Sequence, residues 1–420
     1  MTKLFKILIH PEQYYLIGMS LLGIISGSSF MLVSFTIPYQ LSQAGYPTII
    51  VGAIFLTALP YSFKPILAPF IDHYAIPVLC KKLGQRRGWA LVAQLMLLFS
   101  MAGFLIVDPL NDLRITAFLA FIISFCAATL DIIIDAYRIE RSKTKEELAI
   151  SATCAGVGFR LGMLLNSIGA LYLSYIFNWQ FVYCAIAFFT IIGPLIILYI
   201  KEPILKEPRH ISTNIISLKK YFEVIQESID MLKQHQPNWK LIMLFILFYK
   251  ASDAIPMSMS SPLFIDLSFS SMEIASISKA YGLSVMILGA LIGGILVSKL
   301  GVFWGILICG SVQILSPLMF MILALAGHNI PIFITTITIQ NFCCGLGGTA
   351  LVIYFSGLCN GEFIATQFAL IASFSSLVRI SLSFLGGILA QYIDWPQFFF
   401  INSVLSSVFI IIFLKMYKKL

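Results

Sequence analysis

The side chains in this sequence that could do chemistry are those of eight ionisable residues inside long apolar segments. Guanidinium and ammonium groups bind carboxylates, and a carboxylate in apolar surroundings can hold a proton at neutral pH. Each such charge costs about 2.5 to 3.5 kcal/mol at mid-membrane, so it normally faces a partner or a water-filled path. The residues are Lys64, Asp131, Asp135, Arg160, Lys250, Asp253, Lys279 and Arg379. They predict either a polar cavity inside a membrane or a set of static ion pairs.

Two pairs of these residues have helical spacing. Asp131 and Asp135 lie four positions apart and Lys250 and Asp253 three apart, so each pair shares one helix face. Because the eight charges come from both halves of the chain, we expect them to line a single cavity. The histidines lie near segment ends or in loops, so proton coupling falls to Asp131, Asp135 or Asp253, and we assign it to Asp131 and Asp135. Contacts with an anionic or peptide ligand are assigned to the following residues: Lys64, Arg160, Lys250, Asp253 and Arg379.

The elements that must position these residues are apolar segments of about 20 residues, each long enough to cross a bilayer core as a helix. The chain of 420 residues is 59% hydrophobic and 11% charged, with a mean hydropathy of +0.94, which excludes a large soluble domain. We predict helices at 14–38, 46–70, 90–107, 115–138, 149–175, 179–200, 241–264, 272–299, 303–326, 330–355, 364–391 and 396–417. The sequence therefore predicts an all-α integral membrane protein of 12 transmembrane helices in two pseudo-symmetric six-helix bundles.

Residues 201–240 form the only long polar interval of the chain. We predict an N-terminal bundle over 1–200, a cytoplasmic linker over 201–240 and a C-terminal bundle over 241–420. Within the linker, residues 215–232 carry apolar side chains at helical spacing, which is typical of an amphipathic helix on the membrane surface. A solvated tether is the alternative.

The placement of the basic residues explains the net charge of +8. Most of the 27 Lys and Arg residues lie in the tails, the linker or alternate connections, so both termini should be cytoplasmic. The eight cysteines form no Cys-x-x-Cys pair and are interpreted as packing residues. We expect a monomer with no metal, no organic cofactor and no nucleic acid partner.

Several residues recur at nearly constant spacing in the two halves. The pairs lie 215 to 219 positions apart: Trp89 and Trp304, Trp179 and Trp395, and Arg160 and Arg379. A duplicated six-helix unit is typical of secondary transporters.

The connection over 71–89 resembles a stretched form of the major facilitator signature. In that signature an Asp that ends the second helix is followed by a Gly and paired basic residues. The resemblance implies a conformational gating loop formed by Asp72, Gly84, Arg86 and Arg87. An ordinary basic cytoplasmic loop is the alternative, and the matching stretch Ser298–Gly301 lacks the Asp.

Longer motifs in both halves resemble the AmpG-type muropeptide permeases, a branch of the major facilitator superfamily. The similarity covers nearly the whole chain. It rests on Phe63-Lys-Pro65 through Gln85-Arg-Arg-Gly-Trp89, Asp131-Ile-Ile-Ile-Asp135-Ala136, Gly158-Phe-Arg-Leu-Gly-Met163, Leu247-Phe-Tyr-Lys-Ala-Ser-Asp-Ala254, Asn341-Phe-Cys-Cys-Gly-Leu-Gly347, Leu358-Cys-Asn360, Ala365-Thr-Gln-Phe-Ala-Leu370 and Arg379.

This resemblance implies the major facilitator fold and proton-driven import of anhydromuropeptides across the bacterial inner membrane. It implies a role in peptidoglycan recycling and β-lactamase induction, and it adds Asn341 to the substrate contacts. Gln340 stands where family members commonly carry Glu, which removes one candidate proton carrier. The chain also stops after the twelfth predicted helix, whereas family members often have extra C-terminal helices.

The sequence leaves three alternatives to this interpretation. The first is a major facilitator symporter or exchanger for another small anionic metabolite, peptide or drug. The second is an intramembrane enzyme, which the sequence disfavours because it shows neither a paired-carboxylate loop nor a phosphate-binding Gly loop. A pure signalling receptor is disfavoured in the same way, because the linker is too short for a folded effector module. We therefore expect a transporter and no enzymatic activity.

Overall fold

The computed structural model describes residues 14–46, 50, 54, 56–61, 63–203, 218–235, 238–270, 273–361 and 363–417. All regular secondary structure in these ranges is helical. Nine stretches within them are long and apolar enough to cross a membrane, and one, Ser276–Ala326, has 51 residues, enough for two spans. The all-helical membrane fold is confirmed, and the count of 12 helices stays a prediction.

The first nine helices follow the predicted segments and the linker. In chain order they are α1 (Tyr14–Gln43), α2 (Lys64–His73), α3 (Leu79–Leu83), α4 (Gln85–Gly103), α5 (Leu113–Arg141), α6 (Lys145–Ile176), α7 (Trp179–Thr190), α8 (Ile192–Tyr199) and α9 (Leu218–His235). A π-helical turn, Leu32–Thr36, lies inside α1, and a short 3-10 helix, Leu56–Tyr61, precedes α2. Pro65 occupies the first turn of α2, where a missing N–H costs nothing, so the second predicted span is broken there.

The remaining helices are α10 (Trp239–Asp266), α11 (Gly282–Gln313), α12 (Leu315–Ala326), α13 (Ile330–Leu358), α14 (Ile364–Leu389) and α15 (Trp395–Tyr417). A π-helical segment, Ile274–Tyr281, leads directly into α11. Part of the second predicted span and residues 204–217 of the linker lie outside the described ranges.

Contacts divide the described residues into two units. Unit 1 comprises those of Met1–Lys143, Cys154–Ile229 and Cys359–Leu370, and unit 2 those of Thr144–Thr153, Asp230–Leu358 and Ile371–Leu420. The predicted boundaries at 200 and 240 stay a prediction, because each unit also includes a short stretch from the other half of the sequence.

In unit 1, α1 and α6 pack through backbone contacts that require glycine. A Cβ on Gly27 would lie 1.9 Å from the carbonyl oxygen of Phe159, and one on Gly158 would lie 2.1 Å from that of Ser20. Small residues at such crossings let two membrane helices approach closely. The contact places the rings of Phe30 and Phe159 side by side, with centroids 6.0 Å apart.

Unit 2 repeats this kind of packing between α11 and α13. A Cβ on Gly289 would lie 2.1 Å from the carbonyl oxygen of Phe342, and one on Gly345 would lie 2.0 Å from that of Met286. A separate aromatic core joins α10, α12, α13 and α15 through these buried rings: Phe264, Phe320, Phe333 and Phe399. Each unit thus has its own tightly packed interior.

Two glycines adopt the same backbone conformation at equivalent places in the two halves. Gly84, between α3 and α4, has φ 97° and ψ 166°, and Gly301, which divides α11, has φ 79° and ψ 167°. Essentially only glycine occupies this region. Each glycine shortly precedes one of the repeated tryptophans, Trp89 or Trp304. The internal repeat is therefore visible in backbone geometry as well as in residue spacing.

The linker contains the predicted helix, α9. Val224 and Ser228 on one face of α9 are fully buried, whereas Phe222 is exposed. The Tyr221 hydroxyl donates a hydrogen bond of 3.3 Å to the carbonyl oxygen of Ile66 in α2. The α9 helix thus docks on α2, and its position on a membrane surface stays a prediction.

Candidate functional site

In unit 1, Lys64 and Asp131 form an ion pair between α2 and α5. Lys64 Nζ lies 2.9 Å from Oδ2 of Asp131, and the two side chains are 24% and 15% exposed. The hydroxyl of Ser26 in α1 donates a hydrogen bond to the other oxygen of the same carboxylate. Ser26 is fully buried. Asp131 therefore joins α1, α2 and α5 at one point within the apolar segments.

Aromatic rings lie beside this ion pair. The ring centroid of Tyr61 is 5.5 Å from Lys64 Nζ, within the range of a cation–π contact. Phe30 packs edge-on against Tyr61, with centroids 5.1 Å apart, and also contacts Phe159. The cluster of Phe30, Tyr61 and Phe159 thus combines apolar ring faces with a positive charge.

Asp135, one turn further along α5, pairs with Arg138 of its own helix. Both Nε and Nη2 of Arg138 lie 2.9 Å from Oδ1 of Asp135. The Asp135 side chain is 27% exposed, whereas that of Arg138 is 1% exposed. The guanidinium also lies over the ring of Phe368, 5.1 Å from its centroid. The two aspartates that share a helix face therefore have different partners, and Asp135 keeps an accessible edge.

A second, fully buried cluster joins α2, α4 and α5 near their ends. Nη2 of Arg86 lies 2.6 Å from Oδ1 of Asp72 and 2.6 Å from Oε1 of Glu140. Burial alone would lower the pKa of Arg86, but the two carboxylates hold it above its usual value. Removing one partner from a buried ion pair costs about 3 to 5 kcal/mol. This cluster therefore fixes the ends of three helices.

Asp72 also binds the beginning of α14. Its Oδ2 accepts hydrogen bonds from the backbone N–H and from the hydroxyl of Thr366, each 2.8 Å long. Thr366 lies in the first turn of α14, where N–H groups have no intrahelical partner and the helix dipole attracts negative charge. Both residues are buried. The carboxylate that the signature places in the gating loop thus caps a helix from the other half of the sequence.

Glu202, just after α8, caps the beginning of α4. Its carboxylate accepts the backbone N–H groups of Arg86 at 2.7 Å and Arg87 at 3.0 Å. Arg87 in return donates to the carbonyl oxygens of residues 197 and 198 at the end of α8. A Cβ on Gly84 would lie 2.3 Å from Cδ of Glu202, so the contact requires glycine there. Burial raises the pKa of Glu202 despite these hydrogen bonds.

In unit 2, the predicted pair of Lys250 and Asp253 forms on α10. Lys250 Nζ lies 3.0 Å from Oδ2 of Asp253, and both side chains are mostly buried. The neighbouring Tyr249 hydroxyl donates a hydrogen bond of 3.0 Å to the carbonyl oxygen of Gly347 in α13. The pair thus lies beside a contact that fixes α10 against α13. The expectation that this ion pair shares one cavity with the charges of unit 1 stays a prediction.

The other predicted residues lie elsewhere on the helices. Nη1 of Arg160 donates to the carbonyl oxygen one turn earlier in α6, at 3.1 Å. The Asn341 amide does the same in α13, at 3.0 Å. Arg379 is exposed on α14, and Lys279 lies in the π-helical segment before α11. Their roles in substrate binding stay predictions.

Sequence reasoning missed five residues that complete these clusters. Their side chains or backbone bind the predicted site residues directly: Ser26, Arg138, Glu140, Glu202 and Thr366. Arg138, Glu140 and Glu202 resemble ordinary loop charges in a sequence. The only sequence feature that could have identified these three residues is their position near helix ends that the gating loop must contact.

Comparisons with known proteins show the family of this chain. Residues 28–416 match the model of the BT1 family. The chain is 56% identical over 409 residues to "Putative transporter AmpG 3" of Rickettsia typhi, with 97% of each chain covered. It is also 32% identical over 422 residues to "Putative transporter AmpG 4" of Rickettsia conorii, covering 99% of this chain and 98% of that protein.

Two solved structures show the same fold at low sequence identity. The fucose:proton symporter FucP of E. coli superposes with a TM-score of 0.70 at 14% identity, covering 97% of this chain and 99% of that one. The human organic anion transporter MFSD10 superposes with a TM-score of 0.69 at 13% identity, covering 96% and 100%. With its family match and its close relatives, the chain belongs to the BT1 family and is an AmpG-type membrane transporter of the major facilitator fold.

Proposed function

We propose that this transporter imports anhydromuropeptides from the periplasm to the cytoplasm by proton-coupled alternating access, in which the site opens to one side of the membrane at a time. The observation that carries the proposal is the group of charges and rings around Asp131 in unit 1. An ion pair, an accessible carboxylate and three aromatic rings lie on neighbouring helices there. That combination suits a ligand that has both sugar rings and carboxylates.

The ligand would contact the aromatic cluster and the basic side chains. The apolar faces of its sugar rings pack on Phe30, Tyr61 and Phe159, while its carboxylates bind cationic groups. Lys64 is positioned to exchange Asp131 for a ligand carboxylate, because its side chain keeps some accessible surface. In this proposal Arg160, Lys250, Asp253, Asn341 and Arg379 supply the further contacts.

Asp135 and Asp131 would couple substrate import to the movement of protons. Asp131 has hydrogen-bonding partners on both of its oxygens, whereas Asp135 has an accessible edge through which a proton can reach it. A neutral Asp135 weakens its ion pair with Arg138, so proton binding changes the charge balance inside the unit. We therefore give Asp135 the main role in coupling and Asp131 a role in exchanging partners with the ligand.

The gating loop would control access from the cytoplasm. In each cycle the hydrogen bonds between Asp72 and Thr366 break and form again, while Arg86 keeps Asp72 oriented. Gly84 and Arg87 hold the start of α4 through Glu202. This proposal places both termini in the cytoplasm and the protein in the inner membrane. Import of these fragments would serve peptidoglycan recycling and supply the signal for β-lactamase induction.

Uptake of labelled anhydromuropeptide into energised right-side-out membrane vesicles, with and without an uncoupler, tests the proposal. We expect accumulation that the uncoupler abolishes. Asp135→Asn should lose accumulation but insert normally, since an amide cannot release a proton. Asp230→Asn is a matched control, because this exposed linker aspartate also pairs with a basic residue three positions on, Lys233.

Two outcomes would contradict the proposal. Full accumulation by Asp135→Asn would remove the coupling role of this residue. Absence of anhydromuropeptide uptake, with accumulation of another labelled anionic solute in the same vesicles, would assign the transporter to a different substrate.

A further inference from the structure

Arg138 lies between the proposed proton carrier and the segment that Asp72 holds. On one side its guanidinium bonds to Oδ1 of Asp135 at 2.9 Å, and on the other it lies 5.1 Å from the ring centroid of Phe368. Phe368 is two residues beyond Thr366 in the first turns of α14. One buried side chain therefore touches both the carboxylate and the helix start.

The segment that Arg138 contacts is tied together internally. The Gln367 side-chain amide donates a hydrogen bond of 2.7 Å to the carbonyl oxygen of Asn360 and accepts one of 2.9 Å from the N–H of Asn360. These two bonds fix the turn before α14. Cys359 and Phe368 are both buried. A shift of Phe368 would therefore be shared by Thr366 and by this turn.

Cys359 lies where the charges of Arg138, Asp135 and Asp72 all act. Burial raises the pKa of its thiol, Arg138 opposes that effect, and the two carboxylates add to it. The thiol is therefore unreactive while the segment stays packed. Cys359 is a native reporter of the state of this contact.

We propose that Arg138 is a positioning residue that transmits the charge of Asp135 to the contact between Asp72 and Thr366. This inference rests on the proposed function, in which Asp135 takes up a proton. The charged groups that act on Asp135 are Arg138 and Asp131 of its own helix and Lys64 of α2. When Asp135 is neutral, the buried guanidinium loses the negative charge that lies 2.9 Å from it, which is costly. It then moves toward other acceptors, and its stacking on Phe368 changes.

The rate at which N-ethylmaleimide alkylates Cys359, measured by peptide mass spectrometry on the full-length protein in liposomes at pH 7, tests this link. Asp135→Asn should raise the rate about tenfold, and Arg138→Gln should raise it by a similar factor. The double variant should stay close to Arg138→Gln alone, because without Arg138 the charge of Asp135 acts on the thiol only directly and no longer through the packing of the segment. The alkylation rate of Cys359 in the unsubstituted protein, measured in parallel, serves as the standard.

Arg141→Gln is the matched control. Arg141 lies three positions after Arg138 in α5, and its guanidinium lies over Tyr15, 5.5 Å from the ring centroid. This variant should leave the alkylation rate of Cys359 unchanged. Phe368→Leu gives a second test that leaves no buried charge unpaired, and it should remove the part of the response to Asp135→Asn that passes through the ring contact with Arg138.

The outcomes separate this inference from the proposed function. The link would be overturned if the increases in alkylation rate caused by Asp135→Asn and Arg138→Gln multiplied in the double variant, and Arg138 would then have only a structural role. An undiminished response to Asp135→Asn in the Phe368→Leu background would also overturn the link. If Asp135→Asn loses uptake but leaves Cys359 protected, the proposed function stands and the link fails. If Cys359 responds while uptake is intact, the link stands and the proton role fails.

Discussion

Replacing Gly84 by alanine perturbs the contact that holds the start of α4. At φ 97° and ψ 166° a Cβ costs about 1 to 3 kcal/mol in backbone strain. The same Cβ would lie 2.3 Å from Cγ and Cδ of Glu202, so that side chain must leave the N–H groups of Arg86 and Arg87. Hydrogen bonds to a charged group contribute about 1.5 to 3 kcal/mol. With two such hydrogen bonds lost at this value each, in addition to the strain, we expect Gly84→Ala to lower the free energy of unfolding by about 4 to 9 kcal/mol.

Gly301→Ala is the matched control for backbone strain. Its φ of 79° and ψ of 167° nearly equal those of Gly84, but a Cβ there would meet nothing within 4 Å. This variant should cost only the strain of about 1 to 3 kcal/mol. The difference between the two variants therefore isolates the contribution of Glu202.

Thermal unfolding of the purified protein in detergent, followed by intrinsic fluorescence, measures both variants. Glu202→Ala and the double variant with Gly84→Ala complete a mutant cycle, in which the two changes should not add because they remove one contact. Equal losses for Gly84→Ala and Gly301→Ala would refute the reasoning. So would additive losses in the cycle.

Two further predictions concern Glu202 and the contact between α1 and α6. Because burial raises the pKa of Glu202, its carboxyl binds a proton more readily in the folded protein than in the unfolded chain, so the stability that comes from this proton is present below the ordinary pKa and is lost as the pH rises through the raised value. Glu202→Gln should therefore reduce the gain in melting temperature between pH 7 and pH 5, and an unchanged gain would contradict this. Gly158→Ala should cost about 1 to 3 kcal/mol by overpacking, since its Cβ would meet the backbone of Ser20. Gly169→Ala is the control, because a Cβ there would meet nothing within 4 Å, and it should be neutral or stabilise the protein by up to about 1 kcal/mol. Equal melting temperatures for Gly158→Ala and Gly169→Ala would argue against the close contact between α1 and α6.

The fold was predictable from the sequence because hydrophobic length and periodicity determine membrane helices almost alone. The predicted boundary between 299 and 303 coincides with the break at Gly301. The π-helical turns were not predictable, because a widened turn depends on which neighbour the helix must meet. Lys279, in one such segment, follows Lys64 by 215 positions, the spacing already seen for Trp89 and Trp304.

The site was predictable only where partners are close in sequence. Spacing placed Lys250 beside Asp253, and their ion pair of 3.0 Å agrees with it. The ion pair of Lys64 and Asp131 joins positions 67 apart, so it depends on how α2 and α5 pack. Arg379 is exposed on its helix. An apolar segment around an arginine does not show what that face of the helix contacts, so the sequence could not predict the surroundings of this residue.

The widened turn at Leu32–Thr36 determines how residue roles can be carried between relatives. One extra residue in a helical turn rotates all later positions by about 100°. Ser26, before the turn, meets Asp131, while Gln40, after it, meets the Tyr183 hydroxyl. A relative with a regular helix here needs a one-residue gap in its alignment. Without that gap, every assignment beyond position 36 in this helix would fall on the wrong face.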